Sequence, residues 1–364
     1  MKPTNVVTVA QLSEFDELID VRTPKEFLED HIPNAINCPV LDDEQRAHVG
    51  TLYKQTSPFA AKKLGAALVG ENISRHLQQR FIDRDKKWKP LIYCWRGGKR
   101  SGAMTHVLRE IGWDAKQLEG GYKAYRREVS SQLQTLPQQY SYYVICGETG
   151  SGKSKLLQAI AKAGGQILDL ETLACHRGSL LGSLPQQPQP SQKMFESKLW
   201  QALRQFNPRR PVYVEAESKK IGEVAIPDIL LHEMWNSSCI RIDVPFEQRV
   251  LFLIDEYQHF LSDAELLEQR LNHLTAIYGI KKIEQWKSQV QNKEWTTLVT
   301  SLLNEHYDRA YGRSTTKHYP QLADALVFNT DRITDVPYAE MANQILHQTE
   351  KKFEQASPKE NFAR

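Results

Sequence analysis

The chain has 364 residues, of which 40% are hydrophobic and 25% charged, as in an ordinary globular protein. Its net charge of +3 is too small to bind nucleic acid through overall charge, so contacts with nucleic acid must depend on local basic runs. The length allows two domains. No apolar run approaches the roughly 18 residues of a membrane span, and no apolar leader follows Met1. We therefore expect no membrane partner.

The cysteines are widely spaced and odd in number: Cys38, Cys94, Cys146, Cys175 and Cys239. None of them forms a C-x-x-C pair, which argues against a zinc site. A set of unpaired thiols is typical of a reducing compartment. We therefore expect a cytoplasmic protein.

Short strands alternate with helical stretches from the N-terminus to about residue 127. The predicted strands are 18–21, 35–38, 90–93 and 113–118. Such alternation favours a parallel sheet with helices on its faces. We predict an α/β domain over residues 1–127.

A cysteine follows the strand 90–93 directly. Cys94 begins a loop that also contains three cations and two glycines, namely Arg96, Gly97, Gly98, Lys99 and Arg100. A helical pattern comes next, so both the helix dipole and the cations favour the thiolate and should lower the thiol pKa below about 8.5. The N–H groups of the loop would form an anion cradle around the sulfur. We predict that Cys94 is reactive.

The next segment, 128–140, is polar and Gln-rich and is the predicted linker, although its first half could be helical. A second α/β domain is predicted over 141–345, with strands at 142–146, 166–170, 211–215, 239–244 and 325–329. Further predictions are a Pro/Gln loop at 184–192, a helical insertion at about 246–310 and a flexible tail at 346–364.

The residues after the strand 142–146 fit the pattern G-x-x-x-x-G-K-[ST]. They are Gly147, Glu148, Thr149, Gly150, Ser151, Gly152, Lys153 and Ser154. A strand, a Gly-rich turn and a helix in this order point several backbone N–H groups at one spot, which can hold a di- or triphosphate. Lys153 would reach the outer phosphates, and the Ser154 hydroxyl would ligate Mg²⁺.

Acidic residues follow two of the later strands. Glu215 and Glu217 stand where a Walker B acid is expected, although the usual residue there is Asp. Asp169 and Glu171, after the strand 166–170, are alternative acids. Four basic side chains could meet phosphates or an RNA backbone: His176, Arg177, Lys219 and Lys220.

These motifs support a resemblance to known families. Residues 18–27 and 31–37 look like the opening of a rhodanese domain, and residues 94–101 and 118–125 look like its active-site loop and closing segment. The second half resembles a P-loop kinase-like domain. Together with Cys175-His176-Arg177-Gly178-Ser179 and the stretch 215–222, this order closely resembles the bacterial tRNA 2-selenouridine synthase family, up to about residue 345.

The resemblance implies a transferase that acts on the wobble 2-thiouridine of tRNAs for Lys, Glu and Gln. Geranyl diphosphate would first alkylate the sulfur, and selenium from selenophosphate would then replace the geranylthio group. The Cys94 loop would bind selenophosphate, and the 147–154 motif would bind the diphosphate. The implied partners are tRNA and a source of selenophosphate, and no tightly bound cofactor is expected. The sequence leaves open whether Mg²⁺, bound through Ser154, is required.

Other functions remain open from the sequence. The chain could be an ATP- or GTP-dependent kinase or sulfurtransferase that shares both domains, or a non-enzymatic carrier of persulfide or tRNA. Cys94 and Arg100 also fit the C-x5-R loop of tyrosine phosphatases. The basic runs at 123–127 and 219–220 are the predicted RNA contacts.

Overall fold

A computed structural model describes residues 5–179, 181–183, 187–258 and 263–356. The chain divides into two compact units. The first unit runs to Gln132 and also contains Pro190–Gln201, and the other described residues form the second unit. In the described ranges, no helix combines the length and the apolar character needed to cross a membrane.

The first unit is built on a five-stranded parallel sheet with the order β1-β5-β4-β2-β3. Its strands are β1 Val6–Val7, β2 Glu17–Asp20, β3 Ile36–Asn37, β4 Pro90–Tyr93 and β5 Lys116–Leu118. Its helices are α1 Pro24–Glu29, α2 Asp43–Gln55, α3 Pro58–His76, α4 Lys99–Ile111 and α5 Gly121–Gln132. Every residue of β4 is buried, as expected for a central parallel strand that is covered on both faces.

Local sequence signals explain where the first helices begin. The Thr23 hydroxyl accepts the N–H of Glu26, and the Glu26 carboxylate accepts the N–H of Thr23, which is a complete capping box. Pro24 occupies the first helical position, where no N–H is needed. Asp42 caps α2 in the same way.

The second unit has a five-stranded parallel sheet with the order β12-β11-β6-β8-β7 and a separate hairpin, β9-β10. The strands are β6 Tyr142–Cys146, β7 Gln166–Leu168, β8 Val212–Glu215, β9 Lys220–Ile221, β10 Val224–Ala225, β11 Ser238–Asp243 and β12 Leu326–Asn329. Because β6 is central and Ile145 pairs with Glu215 of β8, the two strands end together at one edge of the sheet.

The other helices follow β6 along the chain. They are α6 Lys153–Lys162, α7 Leu170–Ala174, α8 Gln192–Arg204, α9 Asp228–Trp235, α10 Phe246–Glu256, α11 Ala264–Asn272, α12 Thr275–Tyr278, α13 Ile280–Gln291, α14 Trp295–Leu302, α15 Asp308–His318 and α16 Asp335–Ala356. A π-helical turn, Leu303–Tyr307, joins α14 to α15. Most of α8 lies in the first unit, because that unit extends over Pro190–Gln201.

The predicted α/β class is confirmed, since both large sheets are parallel and carry helices. The short strand β1 and the hairpin β9-β10 were not predicted, because runs of two residues carry no usable periodicity. In the predicted linker, α5 continues to Gln132 because Val129 is buried on its inner face.

The predicted flexible tail from residue 346 is wrong as far as residue 356. The helix α16 continues to Ala356, and Thr349 is fully buried with its hydroxyl 2.5 Å from that of Tyr213. The helix buries an apolar face on the sheet, which the charged residues around it conceal in the sequence. Residues 357–364 lie outside the described residues.

The predicted Pro/Gln loop contains an ordered anchor. The Gln189 side chain donates to the Ala174 and Ile221 carbonyls at 3.1 and 2.9 Å and accepts the N–H of Glu223 at 2.8 Å. These three hydrogen bonds hold the loop at Gln189 against α7 and the hairpin β9-β10. Residues 184–186 of the loop lie outside the described residues.

Candidate functional sites

The first site is the turn between β6 and α6, where the phosphate-binding pattern lies. Gly150 and Gly152 have φ values of +81° and +70°, which L side chains rarely adopt. A Cβ at Gly152 would also lie 2.8 Å from the Tyr338 hydroxyl. Glycine is therefore required at this position on both conformational and steric grounds.

Lys153, the first residue of α6, reaches back over this turn. Its ammonium group donates to the Gly147 and Glu148 carbonyls at 2.8 and 3.4 Å and lies 5.4 Å from the centre of the Tyr311 ring. The Tyr311 hydroxyl accepts the Gly147 N–H at 2.6 Å. A positive charge is thus held at the mouth of the turn, beside an aromatic ring that the sequence analysis did not single out.

Three carboxylates meet at the end of β8. One oxygen from each of Glu171, Glu215 and Glu217 lies within 4.8 Å of the others. The Ser154 hydroxyl lies 3.1 Å from both Glu171 and Glu215. We call Glu171, Glu215 and Glu217 the carboxylate cluster. Asp169 lies outside it, because its carboxylate caps α7 through the Thr172 N–H at 2.8 Å.

The carboxylate cluster is electrostatically costly without a cation. Glu215 is 3% exposed, and within the described part of the chain its Oε1 atom has no hydrogen-bond partner. Burial raises the pKa of Glu215 well above its usual range, and the neighbouring Glu171 and Glu217 raise it further. Burial and Glu171 likewise raise the pKa of Glu217 to about 8. A bound cation would relieve both effects.

The predicted basic residues divide into two groups. His176 and Arg177 line the same cavity as the carboxylate cluster. Burial lowers the pKa of His176, and Arg177 pairs with Glu256 at 2.7 Å. Lys219 pairs with Asp228 at 2.7 Å on an exposed surface, and the neighbouring Lys220 is also exposed. Neither lysine lines the cavity.

The cavity has a volume of about 1230 Å³, far more than a diphosphate needs. Six of its lining residues are aromatic, and we call them the aromatic wall: Phe252, Tyr257, Tyr307, Tyr311, Tyr319 and Tyr338. The sequence analysis missed this wall. The spacing of four residues between Tyr307 and Tyr311 is the signal that could have indicated part of it, since residues four apart share a helix face.

Arg249 was also missed. It is 2% exposed, and its guanidinium makes two bonds to Asp308 at 2.9 and 2.8 Å. It also donates to the Thr149 carbonyl at 3.0 Å and lies 3.2 Å from the Glu148 carboxylate. The buried charge of Arg249 therefore fixes the apex of the phosphate-binding turn relative to α10 and α15.

The second site is the Cys94 loop, residues 94–102, which follows β4 and includes the first turn of α4. The Cys94 sulfur is 3.3 Å from the Gly98 nitrogen and 3.2 Å from the Ser101 hydroxyl, and both groups donate to it. Burial by itself raises the pKa of the thiol, but the donors from Ser101 and Gly98, together with the Arg100 charge, lower it overall. This net shift has the predicted direction.

The three predicted cations of the loop differ in their surroundings. Arg100 pairs with Glu26 of α1 at 2.8 Å, so part of its charge is neutralised. Arg96 and Lys99 are exposed, and neither forms an ion pair among the residues described. These two side chains are therefore the cations of the loop that an external anion can reach.

The loop is held in shape by close backbone contacts. Gly97 has a φ of +64°, and a Cβ there would lie 2.6 Å from the Leu118 carbonyl. A Cβ at Gly121 would overlap the Cys94 carbonyl. Gln117, another residue that the sequence analysis missed, donates to the Gly97 carbonyl at 2.7 Å and to the Ser101 hydroxyl at 2.8 Å.

Asp20 and Arg22 lie beneath the loop. The Arg22 guanidinium pairs with the Asp20 carboxylate at 2.6 Å, both side chains are buried, and the guanidinium lies 3.9 Å from the centre of the Tyr122 ring. This ion pair packs against the closing segment of the domain through Tyr122. Neither side chain is accessible to a substrate. We interpret it as a structural brace.

Comparisons with known proteins also match the two parts of the chain to two different domain families. The rhodanese-like domain model matches residues 6–128, and the model of the tRNA 2-selenouridine synthase AAA domain matches residues 140–266. The tRNA 2-selenouridine synthase of Nitrosomonas europaea is 41% identical over 244 residues, which cover 66% of this chain and 63% of that protein. This match therefore spans less than two thirds of that relative.

Two further relatives with the same description match over more of their length. The protein of Shewanella halifaxensis is 34% identical, and the match covers 79% of this chain and 80% of that protein. The protein of Shewanella piezotolerans is 33% identical, with 84% and 86% covered. Since both domains match in the same order and these relatives align over most of their length, the chain belongs to the tRNA 2-selenouridine synthase family.

Proposed function

We propose that this chain modifies the wobble 2-thiouridine of tRNAs for Lys, Glu and Gln in two steps. The sulfur is first geranylated with geranyl diphosphate, and selenium from selenophosphate then replaces the geranylthio group. The observation that carries this proposal is the combination of a diphosphate turn beside an aromatic cavity with a separate thiol of lowered pKa. The free thiols of all five cysteines support a cytoplasmic location.

The P-loop domain suits the geranyl step. The turn at 147–154 would hold the diphosphate, and Lys153 would neutralise the charge that develops as the C–O bond breaks. The sulfur of the base supplies the electron pair of the new C–S bond, so little help from a general base is needed. A branched, apolar ten-carbon chain would lie against the aromatic wall, which explains a cavity much larger than a diphosphate.

Mg²⁺ fits the residues that are present. Glu171, Glu215 and the Ser154 hydroxyl would hold it, since they are hard oxygen donors and Glu215 Oε1 lacks a partner among the described residues. When bound, the ion would help to stabilise the departing diphosphate. Glu217, the third member of the carboxylate cluster, lies beside these ligands.

The Cys94 loop suits the selenium step. Selenophosphate is an anion, and the loop offers N–H groups together with the exposed Arg96 and Lys99. The Cys94 thiolate, stabilised by Ser101 and Gly98, would attack the phosphorus of selenophosphate, so that an S–P bond forms, the P–Se bond breaks and selenide is released. The selenide would then attack the geranylated base with geranylthiolate as the leaving group, and water would free the thiol as phosphate leaves.

The direct test incubates the purified protein with tRNA that carries 2-thiouridine, and identifies the nucleosides by mass spectrometry. Geranyl diphosphate alone should give geranylthiouridine, and selenophosphate added afterwards should give 2-selenouridine. Turnover of ATP or GTP without any change in tRNA would instead favour the kinase or sulfurtransferase function. Retention of unmodified tRNA or persulfide without turnover would favour a carrier.

The tRNA contacts are a separate prediction. Reversal of Lys219 and Lys220 to Glu should weaken tRNA binding severalfold and reduce its salt dependence, because exposed lysines bind phosphates through counterion release. Affinity for geranyl diphosphate should stay nearly unchanged, since neither lysine lines the cavity. Filter-binding titrations at two salt concentrations measure both effects.

The matched control is the double reversal of Lys62 and Lys63 to Glu, on the exposed face of α3. It changes the total charge by the same amount and should affect tRNA binding less. Equal losses in the two double variants would show that only overall charge matters. In the other predicted run, Arg126 pairs with Glu196, which leaves Lys123 and Arg127 exposed for RNA.

A further inference from the structure

A short segment from the middle of the chain belongs to the rhodanese unit. Residues 190–201, which we call the inserted segment, lie between β7 and β8 in sequence but cluster with the first unit. We propose that the inserted segment contributes a positioning residue to the Cys94 site. Ser197 positions the Cys94 loop through Asp30 and Tyr122. The rhodanese match ends at residue 128, and residues 190–201 fall within the 140–266 match of the other domain, so neither match assigns the segment to the rhodanese unit.

The inserted segment is attached to the unit along its length. The Ser191 hydroxyl donates to the Glu29 carbonyl, and Lys193 pairs with the Glu29 carboxylate at 2.5 Å. Glu196 pairs with Arg126 of α5. These polar contacts fix both the start of α8 and its position against α1 and α5.

The end of the inserted segment is held by aromatic packing. The Trp200 indole N–H donates to Gln132 at 2.7 Å, and its ring packs edge-on against Tyr125 at 5.6 Å between centroids. Phe195, Leu199 and Trp200 are buried. Since the Trp200 ring packs against Tyr125, the segment shares a partly aromatic interface with α5.

Ser197 lies at the centre of this interface and is fully buried. Its hydroxyl donates to one carboxylate oxygen of Asp30 at 2.9 Å. The other oxygen accepts the Tyr122 hydroxyl at 2.7 Å, and the Asp30 carbonyl accepts from Arg22 at 2.6 Å. Asp30 is 1% exposed, so loss of either donor leaves a buried carboxylate oxygen with one partner fewer.

Tyr122 transmits this arrangement to the reactive loop. Its backbone N–H donates to the Cys94 carbonyl at 2.8 Å, and its ring packs against Trp95 with 5.2 Å between centroids. The Cys94 sulfur in turn depends on the position of the Gly98 N–H and the Ser101 hydroxyl. A shift of Tyr122 therefore moves the start of the loop relative to the donors that stabilise the thiolate.

This role concerns the thiol itself, so it can be tested without tRNA, geranyl diphosphate or selenium, and its failure is distinct from failure of the proposed function. The full-length protein is treated with iodoacetamide between about pH 5 and 9. Mass spectrometry of peptides then gives the alkylation rate of each cysteine. Cys175, half-buried in the other unit, serves as the internal reference.

Ser197→Ala should lower the alkylation rate of Cys94 at pH 7 by roughly three- to tenfold and move its pH profile upward by about half to one unit. Tyr122→Phe should act in the same direction. The double variant should be no slower than the slower single variant, because both hydroxyls act through the Asp30 carboxylate. Ser130→Ala, on the exposed face of α5, is the matched control.

A Ser197→Ala profile identical to that of Ser130→Ala would overturn the proposal, as would strictly multiplicative effects in the double variant. If Ser197→Ala increases the reactivity of Cys175, the protein has unfolded and that variant cannot test the proposal. The Glu196→Gln variant is then used for the test in its place. This change loosens the inserted segment from Arg126 at a part-exposed position and should also move the Cys94 profile upward. An unmoved profile in Glu196→Gln would then reject the proposal.

Discussion

Replacing Lys153 with alanine should lower the rate of geranyl transfer by about a hundredfold or more, equivalent to a few kcal/mol of transition-state stabilisation. The Lys153 ammonium group lies over the phosphate-binding turn, 2.8 Å from the Gly147 carbonyl. In the proposed reaction it is the nearest mobile positive charge to the departing diphosphate. Its loss would therefore act on the charge that forms as the C–O bond breaks.

The rate is measured with 2-thiouridine tRNA and saturating geranyl diphosphate in single-turnover reactions, so that binding and chemistry are separated. Lys281→Ala is the matched control, because it removes the same charge from an exposed position of α13 that does not line the cavity. It should change the rate only slightly. Near-normal transfer by Lys153→Ala would mean that the turn binds another phosphate compound, such as a regulatory nucleotide.

Replacing Cys94 with alanine should abolish selenium incorporation and leave geranylation intact. Cys94 is the only cysteine in the described Cys94 loop. Without its sulfur, the Ser101 hydroxyl and the Gly98 N–H no longer have a thiolate to stabilise. The phosphate-binding turn lies in the other unit, and none of its contacts involves Cys94. The two half-reactions should therefore separate cleanly.

Nucleoside mass spectrometry of the Cys94→Ala reaction should show geranylthiouridine that accumulates without 2-selenouridine. Cys175→Ala, which removes a half-buried thiol from the P-loop domain, should make both products. A Cys94→Ala protein that makes neither product, while remaining folded, would contradict the division of labour between the two domains.

Much of the architecture could be predicted because it depends on local patterns. Strands such as β4 and β6 are continuous apolar runs that end directly at a motif, so their positions are evident. Since parallel strands end at one edge of a sheet, the order of strands and loops also predicted that acids after β7 and β8 would face the phosphate-binding turn.

Contacts between distant residues could not be predicted in this way. Arg249 reaches the turn at Thr149 across 100 positions of the chain, and Tyr311 reaches Gly147 across 164. Nothing in the sequence near either residue indicates those contacts. The choice between Asp169 and Glu217 was equally undetermined, because either side chain follows a strand and only the cap on α7 removes Asp169 from the cluster.

The sequence by itself determined which chemistry the chain can carry: a glycine-rich phosphate turn, a cysteine among loop donors and two parallel α/β domains. These depend on backbone conformations and charges within a few consecutive residues. Tertiary structure alone decided the buried Arg249 anchor and the placement of residues 190–201 in the rhodanese unit. Each of these results from packing and desolvation between segments far apart in the chain. Such contacts produce no periodic pattern in the sequence of either segment, so the sequence does not indicate them.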